Sequence, residues 1–168
     1  AFVLIVAMAL LPASLARAQE LMFSSAIAET CLADPGVTDR GDFTSCIGIA
    51  AEACMEATEG GWSTIGMNAC MAAERVYWDD KLNAMYRTLL KSDAAEDAEA
   101  VRIGLTVPAR APALRDMQRA WITYRDERCE YVGTQWAGGT GASSATINCL
   151  MVQTGEQAIY LMRTLWDY

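Results

Sequence analysis

The chain contains no histidine, and so lacks the residue most often used as general acid or base near neutral pH. Neither a Gly-x-Ser-x-Gly elbow nor a glycine-rich loop leading into Lys-Ser/Thr occurs, which removes the usual outlines of serine hydrolases and P-loop nucleotide enzymes. No two cysteines lie closer than eight residues apart, so the short ligand spacing of a zinc site is missing too; no metal and no cofactor are expected. Strand-like alternation of useful length and internal repeats are also lacking. Positive charge is in deficit, with 13 Lys and Arg against 21 Asp and Glu and a net charge of −8. Such a surface repels phosphate backbones and argues against nucleic acid, while it would steer a cationic partner inward. The same excess also simply keeps an exported protein in solution.

Paired carboxylates are present at Asp79-Asp80 and at Glu127 with Glu130. A two-carboxylate glycosidase would need no histidine. Their helical context favours solvated faces, and the chain is read as a non-enzyme with no catalytic residues.

Residues 1–18 are almost wholly apolar and end in Ala16-Arg17-Ala18, a small-x-small pattern. This pattern reads as the tail of a secretory leader, expected to be truncated at its start and, with only about a dozen residues between Leu4 and Arg17, not expected to serve as a membrane span. The expected mature chain, residues 19–168, has the length of one domain, with residues 19–45 as an N-terminal extension and no membrane span. Its location is expected to be periplasmic or secreted. Cys31, Cys46, Cys54, Cys70, Cys129 and Cys149 form an even set in an exported chain, hence three disulfides. Fifteen pairings are formally possible. Pairing neighbours, Cys31 with Cys46, Cys54 with Cys70 and Cys129 with Cys149, would close three local loops, each contributing about 3 kcal/mol.

Apolar spacing predicts helices throughout. Phe23, Ile27 and Cys31 suggest a short helix from about residue 20. Asp42 would cap a second helix carrying Phe43, Ile47, Ala50, Cys54 and Ala57, ended by Gly60-Gly61. A long helix should begin near Ser63 or Thr64 and run to about Ser92, with Met71, Trp78, Leu82, Met85 and Leu89 at steps of seven, four, three and four. Residues 93–111, acidic and alanine-rich and then broken by Gly104 and Pro108, read as a frayed extension and a surface connection. Leu114, Met117, Trp121 and Tyr124 mark a helix over roughly 112–132, Gly133 to Asn148 reads as a Gly/Ser/Thr loop, and a last helix reaches the end of the chain. The fold expected is all-α, a small disulfide-stapled bundle of about four to five helices.

Trp78, Trp121 and Tyr124 lie on apolar stripes and are expected to pack internally. Trp62 and Trp136 sit in predicted loops beside glycines, where each would either close the end of the bundle or anchor a partner.

Three stretches carry a family resemblance: Cys54 and Cys70 bracketing a helical turn; Trp78-Asp79-Asp80-Lys81-Leu82-Asn83-Ala84-Met85-Tyr86-Arg87; and Gln118-Arg119-Ala120-Trp121-Ile122-Thr123-Tyr124-Arg125-Asp126-Glu127-Arg128-Cys129. They continue through Gly138-Gly139-Thr140 to Cys149-Leu150 and Thr154. Over roughly residues 46–165 the chain thereby resembles the LprI-like lysozyme-inhibitor family. The resemblance implies a small helical, disulfide-bonded envelope or secreted protein, some of whose relatives bind lysozymes and block peptidoglycan cleavage. Within these motifs Asn83, Tyr86, Trp121, Tyr124, Arg125 and Asp126 read as architecture. The chain departs from the family where an arginine often follows the threonine, having Gln157 there and delaying arginine to Arg163; the Cys31 to Cys46 extension is additional.

The reading that follows is an exported binding protein whose partner is a cationic lysozyme. Acidic surface would steer the encounter, especially residues 20–60, where eight carboxylates face only Arg40. The binding residues would be Trp136, Gly138, Gly139 and Thr140, with Trp136 as anchor on a loop tied by Cys129 and Cys149. The alternatives are an envelope scaffold or adaptor and, more remotely, a carboxylate glycosidase.

Overall fold

The computed structural model describes residues 20–38 and 41–166; the expected leader at residues 1–18 lies outside them. Helices are α1 (Ala26–Leu32), α2 (Pro35–Thr38), α3 (Ile49–Ala57), α4 (Thr64–Arg102), α5 (Arg110–Thr134) and α6 (Ala142–Trp166), with one 3-10 turn at Phe43–Cys46. No strand occurs among the described residues. The fold is all-α.

The apolar stripe of α4 decides the architecture. Met71, Trp78, Leu82 and Leu89 are buried, and they meet Met151, Ala158, Ile159 and Leu161 of α6, the helix packed most extensively on α4. Asn68 near the start of α4 bonds Ser143 and Ser144 in the first turn of α6 (3.1 and 2.7 Å), so the two helices run in the same direction. The third long helix, α5, returns antiparallel, as Gln118 facing Gln157 (3.1 Å) and Cys129 bonded to Cys149 require. α3 and the N-terminal segments close the remaining side, with Phe43, Ala50, Ala51 and Cys54 buried.

All six cysteines pair with their sequence neighbours: Cys31–Cys46, Cys54–Cys70 and Cys129–Cys149. Each bond joins adjacent elements, respectively α1 to the 3-10 turn, α3 to α4 and α5 to α6.

Glu74 is fully buried on the α4 stripe. Its carboxylate accepts from the backbone N–H of Gly48 and Ala51 (both 2.6 Å), which are orphan donors at the start of α3, and from the Trp78 indole N–H (2.9 Å). A charged side chain thus fastens α3 to α4 through three donors. Gly48 adopts φ +98°, a left-handed turn that only glycine takes freely, and this turn presents those N–H groups to Glu74. The expected continuous helix from Asp42 is therefore divided at Gly48 into the 3-10 turn and α3.

Three other expectations are corrected. The first helix begins at Ala26, not near residue 20. Residues 93–102 are not frayed: alanine and glutamate are strong helix formers, and α4 continues unbroken to Arg102. It stops where Gly104 (φ +71°) allows Gly104 N–H to bond Val101 O (3.1 Å) and Leu105 N–H to bond Ala100 O (2.9 Å), a Schellman ending. Residues 142–148 are not loop; they form the first turns of α6, where small side chains permit close approach to α5. A Cβ on Gly133 would lie 2.5 Å from Thr146 Oγ1.

At 39 residues α4 is about 58 Å long, against about 37 Å for the 25 residues of α5 and of α6. Because α4 and α6 start level, α4 continues roughly 17 Å past the level of Trp166. That stretch and the start of α5 form a two-helix arm. Asp97 on α4 accepts from the backbone N–H of Arg110 (2.7 Å) and Ala111 (2.9 Å), the first residues of α5. Pro112 follows with no N–H to satisfy. Those two bonds, Arg110 first, hold the Asp97 carboxyl below its ordinary range.

Candidate functional site

The loop between α5 and α6 is seven residues long, 135–141, much shorter than the expected span of Gly133 to Asn148. Ala137 (φ +47°) and Gly138 (φ +78°) are successive left-handed residues. For alanine this conformation costs about 1–2 kcal/mol. The loop is held by backbone bonds from Trp136 N to Gly133 O (3.2 Å), Gly139 N to Trp136 O (2.7 Å) and Ala142 N to Gly139 O (3.1 Å).

Trp136 lies with its ring directly over Gly141, where a Cβ would stand 2.3 Å from Cζ3. One face of the indole is fixed on backbone, yet the side chain remains 52% exposed. Gly138, Gly139 and Thr140 are exposed around it. An aromatic side chain resting on backbone with one face has less ordering to lose on contact than one free on both faces.

Trp62, 58% exposed, stands at the same end of the bundle. It precedes α4, whose second turn is pinned to the first turn of α6 through Asn68 and the two serines. Ser63 caps α4 by accepting from Gly66 N–H (3.1 Å), which fixes the turn that carries Trp62. Ile65, on the first turn, is 80% exposed. The two loop tryptophans therefore belong to one apolar end.

Beside this end a groove of about 460 Å³ runs between α5 and α6. Gly133, Gly138, Ala142, Thr146 and Leu150 give it a mostly apolar lining, and Cys129 places the disulfide at its wall. Its charged lining residues are Asp126 and Glu130, on one face of α5 at a spacing of four, and no cation lines it. Sequence inspection pairs Glu130 with Glu127; the groove pairs it with Asp126. Chemically this suits a lysine or arginine, whose aliphatic stem would cover the apolar lining while its head reached the carboxylates. Asp126 also bonds Arg125 (2.8 Å), whose guanidinium lies 4.9 Å from the Trp121 ring centre.

The other motif residues lie elsewhere. Asn83, Tyr86 and Gln118 line a second groove between α4 and α5 with Arg115 and Arg119. Trp121 is half-buried against the core, as expected, whereas Tyr124 is 56% exposed, a correction to its expected burial. Tyr124 falls on the outer edge of the α5 stripe and interacts with Arg128, whose guanidinium lies 5.9 Å from the ring centre. Among the described residues no group of histidine, cysteine or carboxylate side chains could hold a metal, and no helix is long and apolar enough to cross a membrane.

An uncharacterized protein of Rhizobium meliloti (strain 1021) is 31% identical to this chain over 99 residues, covering 59% of this chain and 71% of that protein. No solved structure matches. The family described as Lysozyme inhibitor LprI matches residues 54–161, from the first cysteine of the α3–α4 crosslink to the buried Leu161 of α6. With well over half its length matched, including two of its three disulfides and the whole α5–α6 loop, the chain belongs to the LprI lysozyme inhibitor family.

Proposed function

We propose that the protein is an exported, non-catalytic inhibitor-like binder of a basic peptidoglycan-cleaving enzyme, engaging it through the end that carries Trp136. The observation supporting this reading is the half-exposed Trp136, its ring resting on Gly141, beside an apolar groove rimmed by Asp126 and Glu130. Trp136 serves as anchor, with Gly138, Gly139 and Thr140 admitting the partner's backbone at close range. The groove takes a cationic side chain of the partner, and the acidic chain as a whole accelerates the encounter. Three disulfides and the leader-like start are in keeping with a periplasmic or secreted location.

The test is peptidoglycan lysis by a panel of lysozymes with and without the purified protein. One lysozyme or more should be inhibited, and Trp136→Ala should weaken that inhibition about thirtyfold, as expected for loss of an aromatic anchor. Absence of both inhibition and complex formation across the panel would refute the reading. A stable complex with no loss of lysis would favour an adaptor.

A further inference from the structure

The groove between the middle of α4 and the first half of α5 has a lining unlike the rest of this acidic chain. Asn83, Tyr86, Arg115, Gln118, Arg119 and Ile122 enclose about 280 Å³, with two cations and no carboxylate among them. The groove beside the tryptophan end and the one at the tip of the arm are both lined by carboxylates. Ile122, its member nearest the tryptophan end, lies about 18 Å along α5 from Thr134. We infer that this groove binds a small ligand by its carboxylate, as at the C-terminus of a peptide, at a site separate from the lysozyme-binding end.

Gln118 supplies the most telling group. The residue is 7% exposed, and its Oε1 accepts from Gln157 Nε2 on α6 (3.1 Å). That bond fixes which way the carboxamide faces and leaves its Nε2 to the groove that Gln118 lines. The Nε2 donor has no acceptor among the described residues, although so deeply placed an amide normally finds one. It is not sealed off, since among the described side chains Tyr77 Oη is the polar atom that is both buried and unpartnered. The Tyr86 hydroxyl is likewise unpartnered and open to the groove. Two neutral donors thus converge on the same space.

The arginines set the charge of the ligand. Arg115 and Arg119 lie one turn apart on α5. Arg119 bonds Asp116, outside the groove, in a pair so exposed that it holds weakly. Arg115 makes no hydrogen bond or ion pair among the described residues. Asp97, whose carboxyl feels its charge, is already committed to the N–H groups of Arg110 and Ala111. Each guanidinium therefore has one carboxylate in its neighbourhood, and the two together offer a modest positive charge. That suits the single charge of a carboxylate better than the nearly double charge of a phosphate monoester. A planar guanidinium fork also matches the two oxygens of a carboxylate.

The remaining walls describe what is attached to that carboxylate. Asn83 gives its amide N–H to Asp79 (2.9 Å), which leaves its Oδ1 as an acceptor among donors. Such an acceptor fits the N–H of an amide next to the carboxylate. Ile122 and the Tyr86 ring add an apolar wall for a short side chain. The volume falls just below that of drug-sized pockets, so the groove admits the last residue or two of a chain and not a folded partner.

Titration of N-acetyl-Ala-Ala into the isotope-labelled protein, followed by the Gln118 side-chain amide resonance, tests this. A saturable shift is expected. Arg115→Gln combined with Arg119→Gln, both at exposed positions, should weaken binding about tenfold or more while the helical circular dichroism is unchanged. Tyr86→Phe should weaken it severalfold. The same peptide with its C-terminus amidated should not bind, and isovalerate, a carboxylate without the neighbouring N–H, should bind more weakly. Absence of a saturable shift, or equal binding by the double variant or by the amidated peptide, overturns the inference. Isovalerate binding as tightly as the peptide would overturn the peptide part and assign a free organic acid, and inorganic phosphate binding as tightly would overturn the carboxylate. Trp136→Ala should leave the titration unchanged, so this reading and the lysozyme-binding one fail independently.

Discussion

The two ends of α4 are built on opposite principles. At the tryptophan end, Cys54–Cys70 and Cys129–Cys149 tie α3 to α4 and α5 to α6, and Asn68 pins α4 to α6. At the arm there is no disulfide among the described residues: α4 stops at a glycine ending and Asp97 accepts from the first N–H groups of α5. The difference teaches where rigidity is needed. A seven-residue loop with two left-handed residues cannot hold one conformation by local preference alone, whereas an alanine-rich helix nearly can. Two of the three disulfides therefore sit beside the irregular loop end, and none joins the arm, where regular structure suffices.

The comparison would break most sharply if the core of the crosslinked half proved dispensable. Glu74→Ala removes the acceptor of three N–H groups and leaves the buried N–H of Ala51 and the part-buried N–H of Gly48, at the start of α3, without partners. A loss of about 3–5 kcal/mol is expected in denaturant unfolding at neutral pH, since breaking a buried charged network is far costlier than trimming a surface group. A loss under 1 kcal/mol would mean that the disulfides alone hold α3.

Next in size is the Cys129→Ala, Cys149→Ala double variant, expected to cost about 3 kcal/mol through freed unfolded-chain entropy. Amide protection should fall at residues 135–148 and stay unchanged at 93–116. Equal loss in both places would show that the two ends are not independent.

The sequence makes one half of this comparison more readable than the other. Neighbour-to-neighbour disulfides suit short connections between adjacent elements, two of them between antiparallel helices, and all three are formed. Trp62 and Trp136 are identifiable as loop aromatics because glycines flank them. That they share an end is not readable, because it depends on α4 and α6 running in the same direction. Glu74 leaves a trace: the step of seven from Met71 to Trp78 skips the place, three residues on, where the stripe must continue, and the residue there is a carboxylate. Treating charge as solvent-facing by default hides it, whereas Asp126 and Glu130 are solvent-facing and are missed because their spacing of four shares a groove only once α6 is in place. Ser143 to Asn148 read as loop because small polar residues serve both turns and tight helix contacts, and only the approach of Gly133 to Thr146 separates the two uses. The arm is misjudged for a related reason, since a change from apolar to acidic composition marks a helix leaving the core, not a helix ending.

The smallest effect expected lies at the arm, and its pH dependence has a definite sign. Asp97 is held below the ordinary carboxylate range by the N–H groups of Arg110 and Ala111, which favour its charged form. Its folded value is thus the lower of the two, so the cap is fully in force above the unfolded value and is lost as pH falls through the folded one. Amide protection in the first turn of α5 should accordingly drop in acid, below the ordinary carboxylate range, before the crosslinked end responds. Asp97→Asn keeps an acceptor but removes the charge, so it should lower that protection modestly at neutral pH and abolish its acid dependence. Protection that falls simultaneously at residues 110–113 and 136–148 on acidification would show that the carboxylate does not act locally and that the arm is coupled to the distant loop.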